Sequence, residues 1–306
     1  MKKARSSLFL LGAAILWGIA FVAQEKGLDY VEPFTFTSVR CFVGGVALLI
    51  FTLIFHGIKR KKHPTSLTKE EKKQAAKNLA VAGLVCGTAM AVAMNVQQVG
   101  LLYTTAGKSG FITSCYIVFV PIIGLFFRRK CPVLAWVAVL CAVVGLYLLC
   151  LGDGFENVNK GDLIELGCTV GFAMHIICVD IFGKKTDGIS LACAQCFVCS
   201  FLSAIPMFIF EHPDIHNILN AYVPILYCGV VSAGIAYMFQ ILGQRDLNPT
   251  AASIIMSLES VVSVLAAWVL LNQKLSAREI IGCAVIFVAV LLAQIPQKKR
   301  KIKTLY

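Results

Sequence analysis

A single carboxylate, Glu259, lies near the middle of the long apolar stretch from Asn248 to Lys274. A charged side chain at membrane depth is costly, so it normally faces protein or a water-filled cavity and marks a functional site. A carboxyl group in such low-dielectric surroundings can exchange a proton near neutral pH, which suits proton-linked transport. The same acid could instead hydrogen-bond to a neighbouring helix and stabilise the bundle. Both interpretations place Glu259 inside protein.

Other polar and aromatic residues within the apolar runs are candidates for substrate binding or coupling. Histidine can relay a proton near neutral pH or bridge helices as a neutral side chain. Aromatic side chains can hold an apolar group or an ammonium group, but they also serve packing. Amides can bind a substrate or join helices. With Glu259, the candidates are His175, Trp17, Asn95, Gln98, Tyr116, Phe172, Tyr237, Gln240, Ser260 and Arg40.

The composition is that of an integral membrane protein. Of 306 residues, 58% are hydrophobic and only 14% are charged, with a mean hydropathy of +0.80. So few charges could not cover a soluble core of this size. The formal net charge of +12 does not indicate nucleic-acid binding, because the basic residues lie in short segments between apolar runs. We predict a lipid bilayer and a small-molecule substrate as partners, and no nucleic acid.

The thirteen cysteines do not indicate a metal or redox site. Most lie in apolar runs, including Cys193, Cys196 and Cys199 at every third residue of one predicted helix. A lone CxxC lacks the second pair that zinc needs and the strand context of a redox motif. We interpret these residues as small buried side chains, and we expect neither a metal nor a cofactor.

Ten apolar runs are long enough to cross a bilayer, since about 20 helical residues span its hydrocarbon core. Pro121 should kink the fourth helix because it removes a backbone donor, and a basic loop is predicted from His56 to Lys77. Arg40 lies near the outer boundary, where it could snorkel to the interface or steer anions. The predicted helices are Leu8 to Ala23, Pro33 to Phe55, Asn78 to Leu102, Thr105 to Phe127, Leu134 to Leu151, Gly161 to Phe182, Ile189 to Phe210, Tyr222 to Gly243, Asn248 to Lys274 and Ala277 to Ile295.

The positive-inside rule orients these ten spans. With the N-terminus in the cytoplasm, most of the 28 Lys and Arg residues fall on the cytoplasmic side. The sequence therefore predicts a multi-pass protein of the cell membrane with both termini in the cytoplasm.

The two halves of the chain resemble one another. Early segments align at an offset of 155 residues, and later ones, such as Ser109 and Ser253, at 144. The drop in offset equals the difference in length between the loops after the second and seventh helices. Five-helix repeats must insert in opposite orientations, as in secondary transporters with a midplane site. We predict an all-α membrane protein with repeats at residues 1–152 and 161–296 and a basic cytoplasmic tail, residues 297–306.

Four passages resemble signatures of the EamA family within the drug/metabolite transporter superfamily. The resemblance covers nearly the whole chain and implies two five-helix repeats, cytoplasmic termini and traffic of small metabolites, often export of amino acids or related compounds. The passages are LWGIAFVAQ (Leu16 to Gln24), SVRCFVGG (Ser38 to Gly45), GLLYTTAGKSGFITSCYIVFVP (Gly100 to Pro121) and NPTAASIIMSLESVVSVLAAWVLLNQKLS (Asn248 to Ser276).

The chain departs from the family pattern at two positions. Ser260 follows the acid of helix nine where the family often has proline, so the resemblance does not by itself imply a kink there. Gln273 stands where the family often has an acid, which removes one acid from the candidates.

These observations predict a secondary transporter rather than an enzyme. It would export small metabolites by alternating access at a midplane cavity, with protons as one option for the coupling ion. The alternative is an intramembrane enzyme or a lipid-handling protein, but the sequence has no Walker A, HExxH or GxSxG motif and no apparent pair of intramembrane carboxylates. Monomer and homodimer are both left open.

Overall fold

The computed structural model describes residues 2–62, 68–127, 133–150, 160–271 and 276–294, all of it helix or connecting turn. The predicted tail (297–306), Gln273 and Lys274 lie outside the described residues. The helices are α1 (Lys2–Gly27), α2 (Pro33–Lys62), α3 (Lys69–Leu101), α4 (Ala106–Ser114), α5 (Tyr116–Phe126), α6 (Val133–Cys150), α7 (Lys160–Phe182), α8 (Gly188–Phe210), α9 (Ile215–Asn220), α10 (Tyr222–Leu226), a π-helical segment (Tyr227–Ala236), α11 (Tyr237–Gln244), α12 (Pro249–Met256), α13 (Leu258–Leu271) and α14 (Ala277–Gln294).

These helices form the ten predicted spans. Eight spans are long and apolar enough to cross a membrane, and α6 and α14 contain shorter apolar stretches. The fourth span consists of α4 and α5, the eighth of α10, the π-helical segment and α11, and the ninth of α12 and α13. Large apolar side chains such as Phe208 and Phe210 are more than 70% exposed, as expected for residues that face lipid. The all-α membrane fold is confirmed.

Side-chain caps fix several helix starts. The Asn248 side chain accepts a hydrogen bond from the Ala251 backbone N–H at 2.7 Å, ahead of Pro249 at the first helical position. Thr68 and Glu71 form a reciprocal capping box at the start of α3. The predicted loop from His56 to Lys77 is therefore largely wrong. Helices α2 and α3 continue past the apolar runs because a helix need not end where its hydrophobic residues end.

The fourth and ninth spans are interrupted at corresponding places. The Cys115 N–H bonds to the Ile112 carbonyl at 3.0 Å, which tightens the chain between α4 and α5, six residues before Pro121. In the ninth span the interruption lies at Ser257. Four serines there each donate to the carbonyl three residues earlier, a pattern that bends helices without proline. They are Ser253, Ser257, Ser260 and Ser263, with distances of 2.7–2.9 Å.

The helix packing follows an inverted two-fold symmetry. Helix α1 packs on the eighth span, and its counterpart α7 packs on α3 in the same way. The half-helices cross over, α4 on α13 and α5 on α12, while α2 pairs with α8 and α6 with α14. Corresponding spans run in opposite directions because each repeat holds five. An operation that exchanges them must therefore have its axis in the membrane plane, as inverted repeats require.

One reciprocal hydrogen-bonded pair joins α2 to α8. The Ser38 hydroxyl donates to the Ser200 carbonyl at 3.1 Å, and the Ser200 hydroxyl donates to the Ser38 carbonyl at 2.9 Å. Both residues are buried in the α2–α8 contact. Nearby thiols are free and buried, among them Cys193, Cys196 and Cys199, and their burial agrees with the sequence prediction.

Candidate functional site

A polar cavity lies where the two halves of the chain meet. Each half contributes eight of its lining residues, and the cavity volume is about 40 Å³. That is enough space for a few water molecules but far less than the roughly 300 Å³ or more of a typical small-molecule pocket. The lining residues are Trp17, Phe21, Gln24, Arg40, Met94, Gln97, Thr113, Tyr116, Phe172, His175, Ile176, Ser232, Tyr237, Gln240, Met256 and Glu259.

Glu259 reaches this cavity from the first turn of α13 and is 3% exposed. The Ser114 hydroxyl lies 3.5 Å from its Oε1 atom, and Tyr116 lies beside it at the start of α5. The breaks at Cys115 and Ser257 thus place two half-helix N-termini in the middle of the membrane. The positive end of a helix dipole favours a carboxylate, so α13 holds the acid without a buried cation next to it.

An aromatic and amide cluster forms a second wall of the cavity. The Tyr237 ring contacts Trp17 edge to face, with ring centroids 4.9 Å apart, and His175 similarly at 5.5 Å. His175 Nε2 lies 3.1 Å from Gln195 Oε1 of α8, and Trp17 Nε1 donates to the Ser232 carbonyl at 3.4 Å. Ser232 belongs to the π-helical segment, a type of irregularity that is frequent at functional sites.

Arg40 is fully enclosed rather than interfacial. It is 1% exposed, lines the cavity from the third turn of α2, and donates from Nη1 to the Gln24 side-chain carbonyl. Its guanidinium lies 5.3 Å from the centre of the Phe36 ring. The prediction that Arg40 snorkels to the interface is wrong, because α1 and the eighth span cover the face of α2 that carries it.

Three sequence candidates lie outside the cavity lining. Asn95 donates to the Ser203 hydroxyl at 2.7 Å and so joins α3 to α8. Gln98 is buried behind Gln24 and donates to its backbone carbonyl at 3.5 Å. Ser260 donates to the Ser257 carbonyl and stabilises the bend of the ninth span. The structure brings the other eight candidates together.

Sequence reasoning missed several polar residues of this region. Gln24, Gln97 and Thr113 line the cavity, and Gln97 donates to the Thr113 hydroxyl at 2.8 Å. Glu165 is a second carboxylate inside a span, 0% exposed, and accepts a hydrogen bond from the Ser109 hydroxyl at 2.6 Å. The rule that singled out Glu259, an acid inside an apolar run, would also have found Glu165.

The fold and cavity define a multi-pass membrane protein built from two inverted repeats around a buried polar centre. The chain belongs to the EamA-like transporter family, whose profile matches residues 4–151 and 159–294. It is therefore a membrane transporter.

Named relatives and a known structure agree with this assignment. An uncharacterized transporter of Archaeoglobus fulgidus is 28% identical, with 96% of this chain and 87% of the relative aligned. The uncharacterized transporter YoaV of Bacillus subtilis is 23% identical, with 96% of this chain and 98% of the relative aligned. The WAT1-related protein At3g02690, chloroplastic, of Arabidopsis thaliana is 22% identical, with 94% of this chain and 69% of the relative aligned. A crystal structure with 17% identity matches at a TM-score of 0.73 over 95% of this chain and 98% of that one, which supports the fold.

Proposed function

We propose that this transporter is a secondary carrier that exports small polar metabolites, such as amino acids or related compounds. The observation that carries the proposal is the buried carboxylate of Glu259 in a cavity shared equally by the two repeats. Rocking of one repeat against the other would expose such a cavity to each side of the membrane in turn. The repeats would comprise residues 1–152 and 161–296.

The small cavity supports a moving carrier rather than a fixed pore. A volume of about 40 Å³ cannot admit an amino acid, so the helices around it must separate before a substrate binds. The breaks at Cys115 and Ser257 supply such hinges at mid-membrane, because a few element-terminal residues can absorb the backbone change of a domain motion.

Proton coupling would act through Glu259. The titratable or charged groups that share its cavity are Tyr116 from α5, His175 from α7, Tyr237 from α11 and Arg40 from α2. An ionised Glu259 would carry a buried charge, whereas a protonated Glu259 would be neutral. Binding of a proton from one side of the membrane and its release to the other side would then drive transport of the substrate.

The proposal includes an orientation in the membrane and a direction of transport. Both termini would lie in the cytoplasm, because basic residues are concentrated in the connections on the same side of the cell membrane. These connections follow α2, α5, α7 and α11. Entry of protons down their gradient would then export the substrate.

A two-stage experiment tests the carrier. Cells that overproduce the chain are first grown on inhibitory concentrations of amino acids and their analogues, because an exporter protects against its own substrates. The purified protein is then tested in liposomes for counterflow, in which unlabelled internal substrate accelerates uptake of labelled substrate. Saturable counterflow supports the carrier. Chemical conversion of the labelled compound without counterflow would overturn it in favour of an intramembrane enzyme.

A further inference from the structure

The guanidinium of Arg40 has two donors with no hydrogen-bond partner among the described residues. Nη1 bonds to Gln24, but Nε and Nη2 are buried and unpartnered. These two nitrogens form the side-on edge of the guanidinium, whose parallel N–H groups match the two oxygens of a carboxylate. This buried edge therefore has the geometry of a bidentate anion site, which a ligand could reach once the surrounding helices separate.

The surroundings leave the Arg40 charge without a counterion. No described Asp or Glu side chain lies within ion-pair distance of Arg40, whereas buried arginines are normally paired. Glu259 lines the same cavity, about three turns into the ninth span from its start, but makes no ion pair with Arg40 among the described residues. The nearest ring, Phe36, offers a cation–π contact but no acceptor for the two free N–H groups.

We propose that the side-on edge of Arg40 is the binding site for a carboxylate group of the substrate. This inference rests on the proposed carrier function and assigns a residue to the carboxylate of the amino acids proposed there as substrates. The carboxylate pairs with Arg40, and the amine lies toward Glu259 and the Trp17 and Tyr237 rings, which attract cations.

The charge balance of the cavity supports this class. Arg40 and Glu259 are its only arginine, lysine, aspartate or glutamate lining residues among those described. A zwitterion can pair with both the Arg40 and the Glu259 charge without leaving a net charge in the membrane. A dianion such as a phosphate ester would place extra negative charge near Glu259, which is unfavourable in low-dielectric surroundings.

The test measures ligand-induced thermal stabilisation of the purified full-length protein. The probes are the twenty protein amino acids, the amide of each neutral one, and the matched decarboxylated amines. In the wild-type protein we expect at least one amino acid to raise Tm, while its amide and its amine do not. In Arg40→Gln the apparent Kd of that amino acid should rise about 100-fold, and in Arg40→Lys about tenfold, because lysine keeps the charge but loses the two-pronged geometry.

Arg245→Gln is the matched control, since Arg245 donates to the Thr186 carbonyl on another part of the protein and does not line the cavity. Its apparent Kd should equal that of the wild type. If Arg40→Gln fails to fold, the Arg40→Lys variant and the comparison of amino acids with their amides in the wild type still test whether Arg40 binds the carboxylate. Equal stabilisation by acids and amides, unchanged Kd in both Arg40 variants, or no response to any amino acid overturns the proposal. Counterflow of a solute without a carboxylate would overturn it while leaving the carrier function intact, whereas absence of all counterflow removes the carrier function itself.

Discussion

Replacing Glu259 with glutamine should uncouple transport from the proton gradient. Glutamine has nearly the same shape as a protonated glutamate but cannot release a proton, so Glu259→Gln fixes this side chain in its uncharged form. Glu259 is the only aspartate or glutamate among the described lining residues, which predicts one proton per cycle. One pH unit corresponds to about 1.4 kcal/mol per proton, or about a tenfold substrate gradient.

The assay is substrate accumulation in proteoliposomes with an imposed pH difference and no membrane potential. Across two pH units the wild type should reach a substrate ratio of about 100, because each unit contributes about tenfold. Glu259→Gln should equilibrate at a ratio of one while retaining counterflow. Retained accumulation in this variant would refute the role of Glu259, and a ratio near 10,000 in the wild type would refute a one-proton cycle.

Glu165→Gln is the matched control for this experiment. Glu165 is also a fully buried carboxyl group, but it bonds to Ser109 and Cys168 outside the cavity lining. We expect its glutamine variant to accumulate substrate like the wild type. Loss of accumulation in both variants would place Glu165 on the proton route and contradict the assignment of coupling to the cavity acid alone.

Two further predictions concern the packing of the repeats. Gly18→Leu should destabilise the protein by about 1–3 kcal/mol through overpacking, because even a Cβ atom there would collide with Val262 of α13. Gly57→Leu should not lower Tm, because a Cβ there meets nothing within 4 Å and leucine favours the helix more than glycine does. Equal Tm values for the two variants would contradict the close approach of α1 and α13. Ser38→Ala and Ser200→Ala should each lower the free energy of unfolding by about 0.5–1.5 kcal/mol, with measurable coupling between them in a double-mutant cycle. Strictly additive effects of the two substitutions would argue against the reciprocal hydrogen bonds.

The number and type of the elements could be predicted because the bilayer imposes them. An apolar run of about 20 residues must become a helix, since no other local structure satisfies its backbone in lipid. Starts with a strong local signal, Pro33 and Asn248, were placed correctly. The extension of α2 to Lys62 was missed because hydropathy marks only the part of a helix that lies in the bilayer, and the helix itself continues beyond it.

The interruptions depended on information that no short motif carries. A proline marks a missing donor, yet the fourth span breaks at Cys115 and keeps Pro121 inside α5. The ninth span breaks without any proline, through serine side chains that bond to backbone carbonyls. The π-helical segment, which packs against α2 and α1, was not predicted from the sequence.

The candidate site could be predicted in part for similar reasons. Costly residue types inside apolar runs, such as Glu259 and His175, converged on the cavity. Amides are less costly and occur both in cavities and between helices, so Gln24 was missed and Asn95 was included. The position of Arg40 depended on which neighbours cover α2, and this is a tertiary property that the distance from a helix end does not reveal.

Accessibility of the cavity from both faces of the membrane is the most direct test of alternating access. Ser232→Cys places a thiol in the cavity lining, where the native side chain is 4% exposed. Labelling is measured with a charged, membrane-impermeant thiol reagent in right-side-out and inside-out vesicles, and the parent protein with its native cysteines sets the background. The account predicts labelling above background from each face and protection by a transported substrate. Labelling from one face only, or from neither, would contradict it.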